Sequence, residues 1–468
     1  MHSLPKELLS SLAGLPGFNA TRFEQVHADG RQVTSIRLNP SKPVAGAGLP
    51  VLQGEEGKAG SPVKIPWSSW GYYLAERPSF VFDPLFHAGT YYVQEASSMF
   101  LEQAIRQTTD LGRPLRVLDL CAAPGGKSTL LQSLLSPDSL LVSNEVIRNR
   151  VNVLQENMVK WGAANTIITS NDPRDFQRLE NYFDVIVVDA PCSGSGLFRR
   201  DPAAIAEWSL ENVQLCRQRQ QRILADCWPA LRQDGVLVYS TCSYSREEDE
   251  EILDWMMEGL DASSCRLRTE PEWNIVETTG KKGGWGYRCY PDRLQGEGFF
   301  LGCLRKNDGG NYAWPRNKKT GAGQLVRLGR KEEEQVRNWV QPAPLFFFQH
   351  QEHSYGLPLS LAEDLALLQS SCYLKRAGVL LGKPGVREFI PEHELALSVV
   401  INRDLPAIPL SREQAIQYLR KEEVQTDSAH RGWALVQYEG QNLGWIKVLP
   451  NRSNNYYPKE WRILKREE

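Results

Sequence analysis

The sequence predicts an α/β protein with a mostly parallel, doubly wound sheet at its centre, and three observations predict it. Val185 to Val188 is a β-branched run with no polar break, as expected of a strand buried on both faces. The run ends at Asp189, where Pro191, Gly194 and Gly196 prevent it from continuing. Across residues 86–306 strand-like runs and helical stripes alternate, the pattern of a sheet covered by helices. In open sheets of this kind the ligand crevice lies beyond the carboxyl ends of the strands. Asp189 and Cys192 are therefore expected in that crevice, and a second strand, Gly235–Ser243, delivers Cys242 in the same way.

A chain of 468 residues exceeds what one hydrophobic core organises, so roughly two to four domains are expected. Hydrophobic content of 41% and charged content of 24% are ordinary for a soluble globular protein. Met1-His-Ser-Leu-Pro-Lys-Glu7 has no apolar signal core, and no stretch reaches membrane-spanning length. Nine cysteines without a CxxC argue against a disulfide framework and for a reducing compartment. The expected location is cytoplasmic, with no membrane contact. A net charge of −2 does not announce a nucleic-acid binder, so any polyanion must meet local patches of Lys and Arg.

Residues 1–85 read as a small α+β unit, with a short helix at Leu4–Leu12 and a strand at Thr34–Asn39. The Gly- and Pro-rich stretch Gly46–Pro62 is expected to be a loop. Trp67, Trp70, Tyr72 and Tyr73 could stack bases, but at this density they are read as core. In the second unit, 86–306, Arg116–Leu120 is the first strand. It runs into Cys121-Ala-Ala-Pro-Gly-Gly-Lys127 and a helix with Leu130, Leu131, Leu134 and Leu135 on one face. Leu140–Ser143 is the second strand, ending at Asn144-Glu145. The helix after it carries Val151, Leu154 and Met158 and stops at Gly162. Asn165–Ser170 is the third strand, followed by Asp172. Beyond the central strand, Val213, Cys216, Ile223, Cys227 and Leu231 form one helical stripe, which makes Cys216 and Cys227 core residues. Ser245-Arg-Glu-Glu248 reads as a capping box opening an acidic helix through Met257. Gly298–Leu304 is the last strand of the unit, with Cys303 packed.

The composition shift at Lys306–Lys331 marks a linker or exposed loop. Residues 307–400 form an intermediate unit without a legible motif. Residues 401–468 contain a hairpin, Leu435–Tyr438 and Leu443–Val448 around Glu439–Asn442. The tail sets Lys447, Arg452, Lys459, Arg462, Lys465 and Arg466 among Asn454, Asn455, Tyr456 and Tyr457, a composition that suits RNA contact and an ordinary solvated surface about equally.

Cys121–Ser128 nearly matches the phosphate loop G-x-x-x-x-G-K-[ST], which makes a P-loop NTPase the serious rival. Its first position is Cys121, where glycine is needed for backbone amides to wrap phosphates. The dinucleotide pattern G-x-G-x-x-G is absent, which demotes a dehydrogenase. What remains is a strand, a tight glycine loop, a helix, and Glu145 where an acidic residue can hold ribose hydroxyls. Asp172 could face an adenine or merely end a turn. S-adenosyl-L-methionine, an adenosine without a triphosphate, fits this set. Of seven histidines only His350 and His353 are close, with Cys372 the nearest thiol after them, so no metal is expected.

Gln94-Glu-Ala-Ser-Ser98, Asp119-Leu-Cys-Ala-Ala-Pro-Gly-Gly-Lys127, Asn144-Glu145, Asp189-Ala-Pro-Cys-Ser-Gly-Ser-Gly196 and Ser240-Thr-Cys-Ser243 together resemble the RNA 5-methylcytosine methyltransferases of the NOL1/NOP2/Sun family. Order and spacing agree over roughly 34–306. The resemblance implies a Rossmann-like S-adenosyl-L-methionine-dependent methyltransferase core with a small N-terminal α+β domain. Leu443-Gly-Trp-Ile-Lys447 and Asn451–Pro458 resemble the PUA-like RNA-binding domain of the bacterial RsmF branch. That branch implies 16S rRNA of the small ribosomal subunit as the partner; a monomer is expected.

The family resemblance assigns attack on C6 of cytosine to Cys242, product release to Cys192, and the polar edge of the base to Asp189. It lays the cofactor along Cys121, Ala122, Ala123, Pro124, Gly125, Gly126 and Lys127, with Glu145 on the ribose, Asp172 on the adenine side and Asp189 shared with the base. Arg199, Arg200 and Lys127 are candidates to steady phosphates or the base. The chemistry needs such groups because C5 is a poor nucleophile until a thiolate adds at C6. A free thiol, with a pKa of about 8.5, is mostly un-ionised at neutral pH. The cytosine must also leave its stack to reach Cys242. A tRNA methyltransferase and a non-catalytic RNA-binding assembly factor are the alternatives. Removal of residues after about 310 is expected to weaken RNA binding and spare the cofactor site.

Overall fold

In the computed structural model, which describes residues 4–44, 62–310, 326–385, 388–425 and 429–465, Val185–Val188 lies in the strand Phe183–Asp189 at the heart of the largest sheet. Every residue from Phe183 to Val188 is buried. Val185 and Val187 join one apolar layer with Leu130, Leu131, Leu154 and Met158. Ile186 and Val188 join the other with Ile223, Leu224, Cys227, Ile252 and Met256. Burial on both faces is what removes any polar alternation from the run.

Arg116–Asp119 and Leu231–Thr241 flank this strand in parallel, and Leu140–Asn144 and Thr166–Thr169 continue in parallel beyond Arg116–Asp119. On the far side Phe299–Lys306, Trp285–Cys289 and Val276–Thr279 follow, each antiparallel to the last. The chain thus winds one way from Arg116–Asp119 and returns to wind the other way from Phe183–Asp189. The crevice at that reversal is where α/β sheets hold ligands.

Three sequence expectations change here. Leu231 opens a strand instead of closing the helical stripe, because the helix Leu210–Cys227 runs into Trp228-Pro229, where proline cannot continue it. Ser245 caps nothing: Arg246–Glu248 is a 3-10 turn, the helix is Glu250–Gly259, and Ser245 Oγ is buried without a hydrogen-bond partner. The unit 307–400 is not separable, because its strand Leu374–Ala377 pairs antiparallel with Thr166–Thr169 and forms one edge of the central sheet. Asp364, on the helix Ala362–Ser371, accepts from Arg116 Nε and Nη2 at 3.0 and 2.8 Å and from the Tyr182 hydroxyl. A cut at 310 would remove that strand and the carboxylate that Arg116 and Tyr182 both bind.

The N-terminal sheet contains Val63–Lys64, Gly71–Leu74, Thr34–Leu38 and Tyr91–Val93 in that order, so it reaches past the expected boundary at 85. Trp67 and Tyr73 are buried as expected; Trp70 and Tyr72 are partly exposed. The expected loop over Gly46–Pro62 lies almost wholly outside the described residues, as do 311–325 of the expected linker, which is followed by a helix at Arg330–Arg337. In the last unit Gly432–Tyr438 and Gln441–Val448 form the hairpin. Its turn residues Glu439 and Gly440 have φ of 47° and 73°, the positive pair a tight right-twisted hairpin requires. Tyr457 of the basic tail is buried and Asn455 Nδ2 donates to two carbonyls, so part of that segment is packing. Among the described residues no helix is long and apolar enough to cross a membrane.

Candidate active site

The reactive side chains come from two strand ends that lie side by side. Asp189 and Ser240 are register partners, and Ser240 Oγ donates to Asp189 Oδ1 at 2.8 Å. Beyond them the two loops are tied together: Gly196 N donates to Cys242 O at 2.7 Å and Tyr244 N to Ser195 Oγ at 3.0 Å. A Cβ at Gly196 would sit 2.6 Å from the carbonyl oxygens of Cys242 and Gly298, so only glycine permits this approach. The result is Cys192 Sγ 3.1 Å from Cys242 Sγ, both partly exposed.

Lys127 Nζ stands 2.8 Å from Asp189 Oδ2 and 5.3 Å from the centre of the Phe299 ring. Burial opposes its charge, but Asp189, Asp119 and Cys242 outweigh burial and raise its pKa. The hydrogen bond with Cys242, then burial, push the Cys192 thiol well above the usual cysteine range, with Glu248 adding to the effect.

The glycine loop is held from three sides. Ala122 N donates to Asn144 O at 2.8 Å, Arg150 Nη2 to Ala123 O at 2.6 Å, and Asn157 Nδ2 to Pro124 O at 2.8 Å. Gly125, at φ 116°, turns the chain into the helix Gly126–Leu134. Asp119 accepts from Ser128 Oγ at 2.6 Å; burial pushes its carboxyl up to about 7, and its Oδ1 has no partner. Burial, then the carboxylates of Asp119, Asp189 and Glu145, push the Cys121 thiol far up, which leaves it a neutral lining group. Lys127 turned to Asp189 and Ser128 turned to Asp119 are not disposed as a phosphate loop requires.

Glu145 is buried, accepting from Ile147 N at 2.9 Å with Arg150 Nη1 at 3.5 Å. Val146 and Ile147 beside it are exposed, an apolar face that the sequence reading passes over. Asp172 accepts from Arg174 N at 3.2 Å and caps the turn Pro173–Leu179, the turn role the sequence allows. Arg199 does not face the crevice. It is buried, donating to Gly296 O at 3.1 Å and to Arg31 O, whereas Arg200 is exposed. Two further residues lie outside the sequence reading of the site. Glu248 accepts from the loops of both cysteines, and Arg37, wholly buried, donates to Gly126 O at 3.3 Å, Thr129 Oγ1 at 2.6 Å and Gln94 Oε1 at 2.8 Å. Among the described residues no group of three or more His, Cys, Asp or Glu is placed to hold a metal ion.

Comparison with known families accords with this arrangement. Residues 110–305 match the family described as 16S rRNA methyltransferase RsmB/F, 4–96 the N-terminal domain of 16S rRNA methyltransferase RsmF, and 405–463 the methyltransferase RsmF PUA domain. The three matches follow one another along the chain as the domains of an RsmF-like 16S rRNA methyltransferase. Among RsmF relatives, ribosomal RNA small subunit methyltransferase F of Escherichia coli O9:H4 is 29% identical over 418 residues, covering 85% of this chain and 84% of that protein. The Escherichia fergusonii protein of the same name gives the same figures. Of solved structures, a methyltransferase homologue from Pyrococcus horikoshii superposes with a TM-score of 0.50 at 27% identity, over 65% of this chain and 100% of that one. NSun6 from Pyrococcus horikoshii with SFG shares the fold, with a TM-score of 0.50 at 20% identity over 65% and 99% of the two chains. The RsmB/F match spans the glycine loop and both cysteine strands, and the PUA match spans the C-terminal hairpin.

Proposed function

We propose that this RsmF-like enzyme methylates C5 of cytosine in 16S rRNA, using S-adenosyl-L-methionine and a covalent bond between Cys242 Sγ and C6. The observation that carries the reading is the pair of thiols 3.1 Å apart, at neighbouring strand ends that also present Asp189, to which Lys127 reaches from the helix after the glycine loop. The partnerless Asp119 Oδ1, the Gly125 turn and the buried Glu145 suit the ammonium and ribose ends of the methyl donor. That donor supplies an electrophilic methyl when bound.

The chain's own residues do the rest. Cys242 thiolate forms a bond to C6, and the C5–C6 π electrons pass into the ring, making C5 nucleophilic. Asp189, anchored by Ser240 and Lys127, holds the polar edge of the base and stabilises the charge that develops there. Once C5 bears the methyl, Cys192 assists removal of the C5 proton, the C5–C6 double bond re-forms, and the C6–S bond breaks with its electrons returning to Cys242. Asp172 completes the adenine side of the proposed cofactor site, and the PUA domain contacts the RNA.

Bisulfite mapping of ribosomal RNA from cells with and without the gene tests the reading. A 16S cytosine that loses protection, with Cys242→Ala behaving like the deletion, is expected. Cys192→Ala should accumulate a covalent protein–RNA adduct on a denaturing gel. Unchanged 16S rRNA maps, or preferred methylation of free tRNA, refute the substrate; full cellular function of Cys242→Ala would point to a non-catalytic assembly factor.

A further inference from the structure

The Glu248 side chain is buried and takes four donors. Oε1 accepts from Ser193 N at 2.9 Å and Gln220 Nε2 at 3.1 Å; Oε2 accepts from Ser193 Oγ at 2.5 Å and Ser243 Oγ at 2.6 Å. Ser193 follows Cys192 and Ser243 follows Cys242, so one carboxylate grips both cysteine loops at the residue beside each thiol. The fourth donor comes from the helix Leu210–Cys227, and Gln220 Nε2 also reaches Pro191 O at 3.1 Å. All four donors are neutral groups. A buried carboxylate satisfied by neutral donors keeps its field, which an ion pair would cancel.

We propose that Glu248 is a positioning residue that locks the two cysteine loops into one unit and divides the labour between two otherwise identical thiols. The division follows from which charges surround the pair. The Glu248 carboxylate takes two donors from Ser193, the residue after Cys192, and its charge is among the causes that hold the Cys192 thiol up; Lys127 is paired instead with Asp189 at the strand end. An anion thus lies against the Cys192 loop, held by the residue next to that thiol. That field disfavours a thiolate at Cys192 and so leaves attack to its neighbour, the thiol proposed for it. A thiolate formed later at Cys192 is the more basic for having Glu248 behind it, which suits removal of the C5 proton. The division of labour rests on the reading under Proposed function; the clamp itself rests on the hydrogen bonds alone.

Site-resolved alkylation of the full chain with iodoacetamide across pH 6–10, read by mass spectrometry, tests the proposal beside single-turnover methyl transfer. In the unsubstituted protein Cys192 should label more slowly than Cys242 at pH 8. In Glu248→Gln, which keeps the size and loses the charge, Cys192 should label about tenfold faster at pH 8 while methyl transfer falls at least tenfold. Ser193→Ala with Ser243→Ala breaks the clamp and keeps the charge; it should lower methyl transfer with the labelling order preserved, and Glu248→Asp should restore that order. If Glu248→Gln does not fold, the double serine variant and Glu248→Asp carry the test. Equal labelling of the two thiols in the unsubstituted protein, or unchanged Cys192 labelling in Glu248→Gln, overturns the proposal. A labelling asymmetry in a protein that makes no 5-methylcytosine sinks the functional reading and leaves the clamp; 5-methylcytosine without asymmetry does the reverse.

Discussion

Arg37 sits in the N-terminal sheet yet holds the start of the helix that follows the glycine loop, and Arg37→Met isolates what that grip is worth. Arg37 Nε reaches Gln94 Oε1 at 2.8 Å, Nη1 reaches Ser133 Oγ at 3.2 Å, and Nη2 reaches Thr129 Oγ1 at 2.6 Å and Gly126 O at 3.3 Å. The guanidinium also lies 4.6 Å from the Trp161 ring centre. Not all of these acceptors depend on it. Ser133 Oγ donates to Thr129 O, and Thr129 Oγ1 donates to Gly125 O. Gln94 Oε1 is the acceptor left bare, at about 1–3 kcal/mol for a buried group. The lost cation–π contact adds about 1–2 kcal/mol. Against this, methionine removes a charge that burial disfavours strongly enough to bring the Arg37 pKa down to about 9. The net expectation is about 2–4 kcal/mol of lost stability, seen as a lower urea midpoint with an unchanged slope. Because the loosened helix begins at Gly126, affinity for S-adenosyl-L-methionine by calorimetry should weaken by about tenfold or more, a loss on the order of 1.4 kcal/mol. A variant within roughly 0.5 kcal/mol of the parent, the scatter of surface substitutions, would refute the grip.

Three further outcomes are expected. The folded pKa of Asp119, about 7, lies above its ordinary 3.8, so its contribution to stability is full below pH ~4 and is lost as pH rises toward 7. Asp119→Asn should therefore gain up to ~4 kcal/mol over the parent at pH 8 and much less at pH 4, by urea denaturation at both values, while losing cofactor affinity. Gly196→Ala forces a methyl against two backbone carbonyls and should cost about 2–3 kcal/mol and most methyl transfer, read by thermal melts and single-turnover assay. Asp364→Ala removes the carboxylate that Arg116 and Tyr182 both bind and should cost about 2–4 kcal/mol, with faster amide exchange at Thr166–Thr169 if the C-terminal strand loosens from the sheet edge; unchanged exchange there would contradict that coupling.

What the sequence made legible was whatever depends on local pattern. The buried parallel strands, the Gly162 stop after Arg148–Trp161 and the burial of Cys216, Cys227 and Cys303 all follow from runs and stripes within about twenty residues. The place of Cys192 and Cys242 follows from the rule for strand ends, since both lie just past one. Glu248 misleads because Ser-x-x-Glu is also the capping-box pattern, and nothing local says that its carboxylate is buried against another loop. Arg37 is invisible because its acceptors lie from 57 to 96 positions away. Arg199 looks like a free cation until packing turns it to Gly296 O. Leu374–Ala377 carries a lysine and an arginine, as edge strands do, and so lacks the apolar run that betrays the central ones.

That edge strand has a consequence for how the protein is made. Thr166–Thr169 leaves the ribosome some two hundred residues before Leu374–Ala377 arrives to cover it, a delay of roughly 10–40 s at ordinary bacterial elongation rates of about 5–20 residues per second. During that interval the nascent core displays a row of open backbone donors and acceptors, the kind of border other chains can pair with. The enzyme therefore completes its own scaffold late in translation, and a chain released early carries the methyl-transfer machinery on an unguarded flank.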